Sequence, residues 1–285
     1  MHSEGMHIEV CGAGPPLVLI HGWGMHSGVF DGLAERLGER RTLHLVDLPG
    51  HGHSRDDATP LTLDACVDAI AARTPPAPWL GWSLGGLIAL NAASRIPAQA
   101  TTLIMLCALP RFVRSQDWPY GMAADVFHQF GIDFGHDYRT TLERFLALET
   151  LGSEHATAEL RLLRAQVFAH GEPSQRALIE GLQLLEHSDL CAALPQLQVP
   201  SLWIAGRGDR VSDWRAMQTA AAHSPQSRFL RIEGAAHAPF LTHGDEVADA
   251  ILHFLNEAMV PLARHSCLTS FAVESRRNDG ETDPA

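Results

Sequence analysis

The chain contains no lysine, and all 21 of its basic side chains are arginine. A lysine Schiff base is therefore excluded. A phosphate-binding loop of the Gly-Lys-Ser/Thr type is excluded for the same reason. The glycine fingerprint of a dinucleotide-binding turn is missing too, because the early glycines fall at Gly12, Gly14, Gly22 and Gly24. No apolar run reaches the roughly 18 residues that a membrane-crossing helix needs. The segment Met1–His7 has no basic stretch leading into an apolar one, so no signal peptide is expected. The five cysteines (Cys11, Cys66, Cys107, Cys191, Cys267) are odd in number, scattered, and form no C-x-x-C pair. Reduced thiols and a cytoplasmic location follow as expectations. Positive charge is in deficit, with 33 acidic residues and a formal net charge of −12. That balance argues against a nucleic-acid partner. Histidine is abundant at 17 residues, and His51 and His53 invite a metal reading. No third ligand stands at helical or hairpin spacing from them, so neither a metal nor a cofactor is expected.

Apolar residues make up 46% of the 285, enough for one large core carrying an insertion, or for two small ones. Short apolar runs of strand type stand at Pro16–Ile20, Thr42–Val46, Thr101–Cys107, Pro200–Gly206 and Arg228–Ile232. Helical signals alternate with them, and one helix is expected from about Gly86 to Ile96, stopped by Pro97. Between about Pro110 and Asp189 the strand signal vanishes and helical periodicity takes over, as in Leu142, Phe145, Leu146 and Glu149. The pattern predicts an α/β fold: a mostly parallel central sheet flanked by helices, with a helical cap inserted. The core is assigned to residues 1–109 and 190–256, the cap to 110–189, and a disordered tail to 257–285. A monomer is the expected state.

The segment Trp79-Leu80-Gly81-Trp82-Ser83-Leu84-Gly85-Gly86 reads as a strand, a sharp turn and a helix start. Gly81-x-Ser83-x-Gly85 is a nucleophile elbow, which exposes a serine hydroxyl at the top of a sheet. An aspartate nucleophile is thereby excluded. Upstream, a strand feeds directly into His21-Gly22-Trp23-Gly24, a loop able to aim a backbone N–H at a developing oxyanion. The second such N–H belongs to the residue after the serine, Leu84. Downstream, one strand ends in Arg207-Gly208-Asp209 and the next in Gly234-Ala235-Ala236-His237. The order Ser83, Asp209, His237 is that of the α/β-hydrolase triad, with His237 as general base and Asp209 fixing its tautomer. Asp213 and Asp189 are the rival acids. Asp47, which opens Asp47-Leu48-Pro49-Gly50-His51-Gly52-His53-Ser54, reads as a structural turn beside the site.

With these residues in place, the chain resembles the pimeloyl-[acyl-carrier protein] methyl ester esterases of biotin synthesis. The resemblance rests on His21–Gly24, Leu43–Ser54, Trp79–Gly86, Ala235–Phe240 and the segment Glu143-Arg144-Phe145-Leu146-Ala147-Leu148. It implies a serine carboxylesterase that releases methanol and leaves the free carboxylate, with an acyl carrier protein as partner. It implies further that Trp23 and Leu84 donate the oxyanion N–H groups and, with His237, contact substrate. Phe145, Leu146, Ala147, Leu148 and Glu149 would line the acyl channel. Arg139, Arg144, Arg161 and Arg164 would hold the acidic carrier protein. Against this, residues 111–189 hold 7 arginines and 12 acids, and Thr157 stands where the family can carry another arginine. The rival functions are a broad-range carboxylesterase or thioesterase without a carrier partner, and a binding protein of the same fold whose chemistry is lost.

Overall fold

The structure is a computed structural model that describes residues 5–258. The tail expected from residue 257 falls almost wholly outside the described residues. Its first two residues instead close a helix, because the apolar spacing Val247, Ile251, Leu252, Leu255 carries that helix on to Ala258.

A seven-stranded sheet forms the centre, comprising β1 (Ile8–Gly12), β2 (Pro16–Ile20), β3 (Thr42–Val46), β4 (Ala77–Trp82), β5 (Ala100–Leu106), β6 (Ser201–Gly206) and β7 (Ser227–Ile232). Its order is β1-β3-β2-β4-β5-β6-β7. Only β1 runs antiparallel, against β3. The inner strands are apolar on both faces, as a sheet covered on both sides requires. β1 at the edge alternates and stays partly exposed.

The helices of the sheet are α1 (Asp31–Leu37), α2 (Leu63–Ala71), α3 (Leu84–Arg95), α8 (Trp214–His223), α9 (Pro239–Thr242) and α10 (Gly244–Ala258). Those between β5 and β6 are α4 (Ala124–His136), α5 (Tyr138–Thr150), α6 (Ala156–Val167) and α7 (Gln175–His187). α3 is buried from Leu84 through Ala93, which explains its lack of a polar face. It begins two residues earlier than the spacing predicts, because Leu84 and Gly85 are already helical. The expected helical stretch is not helical at its start. Residues 110–123 form an irregular loop with a single bridge between Val113 and Met122. Pro119 and Gly121 (φ +85°) interrupt any helix there. Among the described residues no helix is long and apolar enough to cross a membrane.

The insertion is tied to the sheet at its inner end. Gly152, just past α5, approaches Gly208, just past β6, so closely that a Cβ on Gly152 would sit 2.4 Å from the Gly208 carbonyl oxygen. The Glu154 N–H donates to Gly234 O at 2.9 Å. Two strand-end loops, those that carry Asp209 and His237, are thus held by the same turn of the insertion.

Candidate active site

Ser83 stands between β4 and α3 with φ 54° and ψ −118°, a conformation that side-chain-bearing residues avoid. The strain persists because the turn is over-determined. The Ser83 N–H donates to Leu106 O at 3.1 Å, and a Cβ on Gly85 would meet the Ile20 carbonyl oxygen at 2.2 Å. Helix, strand and loop therefore meet without room for side chains around the serine.

The serine hydroxyl donates to His237 Nε2 at 2.9 Å. His237 Nδ1–H in turn donates to Asp209 Oδ2 at 2.8 Å. All three residues are buried. Asp209 Oδ1 accepts the N–H groups of Val211 and Ser212 at 2.8 and 2.9 Å, which fixes the carboxylate. Ser212 Oγ donates onward to the Cys107 carbonyl at 2.9 Å. Burial alone would pull the His237 pKa down, but the Asp209 carboxylate outweighs it and the pKa is raised. The imidazole is held by its main chain as well. The His237 N–H donates to Glu149 O at 3.0 Å, and Trp82 Nε1–H donates to His237 O at 2.8 Å.

Both rival acids are engaged elsewhere. Asp213 caps α8, accepting from the Arg215 N–H at 2.8 Å, and Asp189 pairs with Arg111 at 3.0 Å.

Leu84 is the first residue of α3, so its N–H has no acceptor within the helix and faces outward at the positive helix end. Trp23 is fully buried, and its Nε1–H donates to Leu178 O of α7 at 2.8 Å. The loop carrying Trp23 is braced by His21. Its Nδ1–H donates to Gly22 O at 2.8 Å, and its Nε2 accepts the Leu48 N–H at 3.0 Å. Burial pulls the His21 pKa down to about 3, so this brace stays neutral. Asp47 ties the neighbouring loop, accepting from the N–H groups of Ser27 and His53, both at 2.8 Å.

Phe145 packs edge-on against Trp23 with ring centres 5.0 Å apart. Phe130 and Phe134 of α4 join them at 5.7 and 5.9 Å. Leu146 and Glu149 are buried on the inner side of α5, and Leu148 is partly buried. Ala147 is exposed: two residues on from Phe145, the helical turn carries it to the opposite face. Burial raises the Glu149 pKa to about 8.

The four arginines lie on the outer surface of the insertion. Arg139 pairs with Glu172, Arg144 with Asp133 at 3.5 Å, and Arg164 with Glu143 at 2.6 Å. Arg161 lines a shallow surface hollow with Thr157, Ala158, Leu160 and Arg164, and makes no ion pair among the described residues.

Among the described residues, two groups of side chains come close enough to share a metal ion. In Cys107, Asp209 and His237, the Nδ1–H is already given to the carboxylate. In the other, His53 meets His7 and Asp47, neighbours that sequence spacing does not reveal, since His7 lies far from them along the chain. His51 is not part of it.

Sequence reasoning missed Trp82 and Ser212 as supports, and Phe130 and Phe134 as walls. The phenylalanines had a signal, since Phe127, Phe130 and Phe134 recur at helical spacing.

A family model described as alpha/beta hydrolase fold matches residues 15–244. A pimeloyl-[acyl-carrier protein] methyl ester esterase of Xanthomonas oryzae pv. oryzae is 58% identical over 256 residues, 90% of this chain and 100% of that protein. One of the same name from Stenotrophomonas maltophilia is 58% identical over 88% of this chain and 96% of its own length. Among solved structures, an esterase from Exiguobacterium antarcticum superposes with a TM-score of 0.80 at 24% identity, covering 88% of this chain and 95% of its own. A bromoperoxidase from Bacillus anthracis does so at 0.79 and 20% identity, with the same coverage, which makes that likeness one of fold alone.

Proposed function

Because this chain belongs to the α/β-hydrolase fold family, and within it to the pimeloyl-[acyl-carrier protein] methyl ester esterases, we propose that it hydrolyses the methyl ester of pimeloyl-[acyl-carrier protein] in biotin synthesis. Methanol and the free carboxylate are the products. The observation that carries the chemistry is the unbroken chain from Ser83 Oγ through His237 to Asp209, with links of 2.9 and 2.8 Å.

In this reading His237 takes the Ser83 proton as Oγ attacks the ester carbon. The oxyanion is met by the N–H groups of Trp23 and Leu84. The protonated imidazole then gives its proton to the methoxy oxygen, and methanol leaves an acyl-enzyme. A water molecule repeats the sequence and frees Ser83. Residues 110–189 act as a cap, with Trp23, Phe130, Phe134 and Phe145 walling the acyl chain. The carrier protein docks on the cap's outer face. Arg161 is its best-placed contact, since Arg139, Arg144 and Arg164 already hold acids of the cap.

Those internal pairs are also what favours the second reading, a broad-range carboxylesterase or thioesterase without a carrier partner. The deciding experiment is complementation of a biotin-requiring strain that lacks this esterase, alongside turnover of the purified carrier-bound methyl ester. Growth with Ser83 intact and none with Ser83→Ala supports the proposal. Good turnover of free small esters with no growth supports the second reading.

A further inference from the structure

Glu149 is the feature that the reaction as described leaves unused. Both of its carboxyl oxygens are buried and without a hydrogen-bond partner. A buried polar group left unpaired costs about 1–3 kcal/mol, so such groups are rare and ask for a reason. The other buried carboxyls nearby each have a partner on at least one oxygen, although Glu159 Oε2 is also unpaired. Asp209 and Asp47 accept on both oxygens, and Glu159 accepts from Ser153 and Thr242 on one.

Its position is fixed and specific. The Glu149 carbonyl takes the His237 N–H, so the end of α5 is locked to the histidine loop. Its carboxyl oxygen Oε1 lies 3.9 Å from His237 Nε2. That is too long for a hydrogen bond, and no ion pair forms while Nε2 accepts the Ser83 hydroxyl and so carries no proton. It is, however, the separation at which one oxygen atom, about 2.8 Å from each, fits between the two groups. One helical turn back on the same face, Phe145 packs on Trp23. The α5 face thus runs from the aromatic wall at one end to Nε2 at the other.

The oxygen that must stand beside Nε2 is dictated by the chemistry. The imidazolium protonates the leaving alkoxy oxygen, and the free imidazole later deprotonates the attacking water. The two events are mirror images and use the same position. We propose that Glu149, as an un-ionised carboxyl, holds the methoxy oxygen as it leaves and then holds the incoming water. In the first step the C–OCH3 bond breaks, its electron pair stays on oxygen, and the proton on Nε2 moves there, while the Glu149 O–H donates a hydrogen bond. In the second, water gives one proton to Nε2 as its oxygen bonds the acyl carbon, and its other O–H donates to the C=O oxygen of the Glu149 side-chain carboxyl. Glu149 begins and ends with its own proton. The titratable groups that face it are His237 from the loop after β7 and Asp209 from the loop after β6; burial, with the Asp209 charge, favours the neutral form and outweighs the opposing pull of His237.

This inference rests on the acyl-transfer reading of the site, and the test keeps the two apart by using small esters alone. Wild type, Glu149→Gln and Glu149→Ala are compared on methyl butyrate and on p-nitrophenyl butyrate, whose leaving group needs no protonation. Circular dichroism and thermal melts confirm that each variant is folded. For methyl butyrate, Glu149→Ala should lower kcat 10- to 100-fold with KM changed less than threefold. The p-nitrophenyl burst, which reports acylation, should fall less than threefold, while the following deacylation slows. Glu149→Gln, which keeps a neutral donor, should recover most of the loss and should lack the fall in activity expected of the wild type above about pH 8. Equal losses in the acylation step with both leaving groups, unslowed deacylation, or a Gln variant as poor as Ala, would overturn the proposal. If wild type itself hydrolysed neither ester, the esterase reading would have failed instead.

Discussion

Replacing Glu149 with glutamine should stabilise the protein, and by an amount that grows with pH. The folded carboxyl has a pKa raised by burial from 4.5 to about 8. Below pH 4.5 the group is protonated whether the chain is folded or not, and its contribution is fully present. Between 4.5 and about 8 the unfolded chain gives up the proton and the folded one keeps it, so stability falls as pH rises. Each tenfold difference in proton affinity between the folded and unfolded chain is worth about 1.4 kcal/mol, so the full span approaches roughly 5 kcal/mol for so completely buried a group. Glutamine has nearly the same shape and does not titrate. The difference between variant and wild type should therefore be small at pH 5 and reach several kcal/mol by pH 8. Urea unfolding at pH 5, 6, 7 and 8 measures it. His21 and His51, held neutral down to about 3 and about 4, also titrate on unfolding, but they do so equally in both proteins and cancel. A difference that stays flat across this range would refute the reasoning. A difference of opposite slope would mean that Glu149 is ionised and paired with a His237 cation.

Three further outcomes are expected. Ser83→Ala should stay folded and lose on the order of 10⁴- to 10⁶-fold in kcat, and a folded variant with a tenth of wild-type turnover would dismiss Ser83 as nucleophile. Asp209→Asn should cost about 10⁴-fold in kcat, the loss known for the same change in a serine protease, while Asp213→Asn, which alters only the cap of α8, should stay within a few-fold. Arg161→Glu should raise KM for the carrier-bound ester and leave p-nitrophenyl butyrate turnover nearly unchanged, and raised salt should mimic it on the wild type, because exposed charges are screened within about 8 Å.

Ser83, Asp209 and His237 are legible because each sits where a short apolar strand breaks into a loop of small residues, a signal contained in about ten neighbouring positions. The inner strands are legible for the same reason. What the sequence does not disclose is contact across distance. Nothing near His237 signals that Glu149, 88 positions earlier, receives its N–H, or that Trp82 holds its carbonyl. Nothing around His53 points to His7. Of the four arginines expected to hold a carrier protein, three instead meet acids 11 to 33 residues away along the chain. The loop 110–123 reads as helix because its apolar residues lack strand alternation, but its proline and glycine outweigh that pattern in the folded chain.

The order of the strands has a consequence for how the chain is made. Strands β5 and β6 pair side by side, but residues 107–200 are synthesised between them. At about 5–20 residues per second, translation leaves the apolar edge of β5 without its neighbour for roughly five to twenty seconds. Throughout that interval five strands of the sheet are complete and their open edge is a template for another chain. The serine is already in its turn, while its acid and its histidine have not yet been synthesised. The nascent protein is therefore exposed to aggregation along that edge in the window before it can possess any activity.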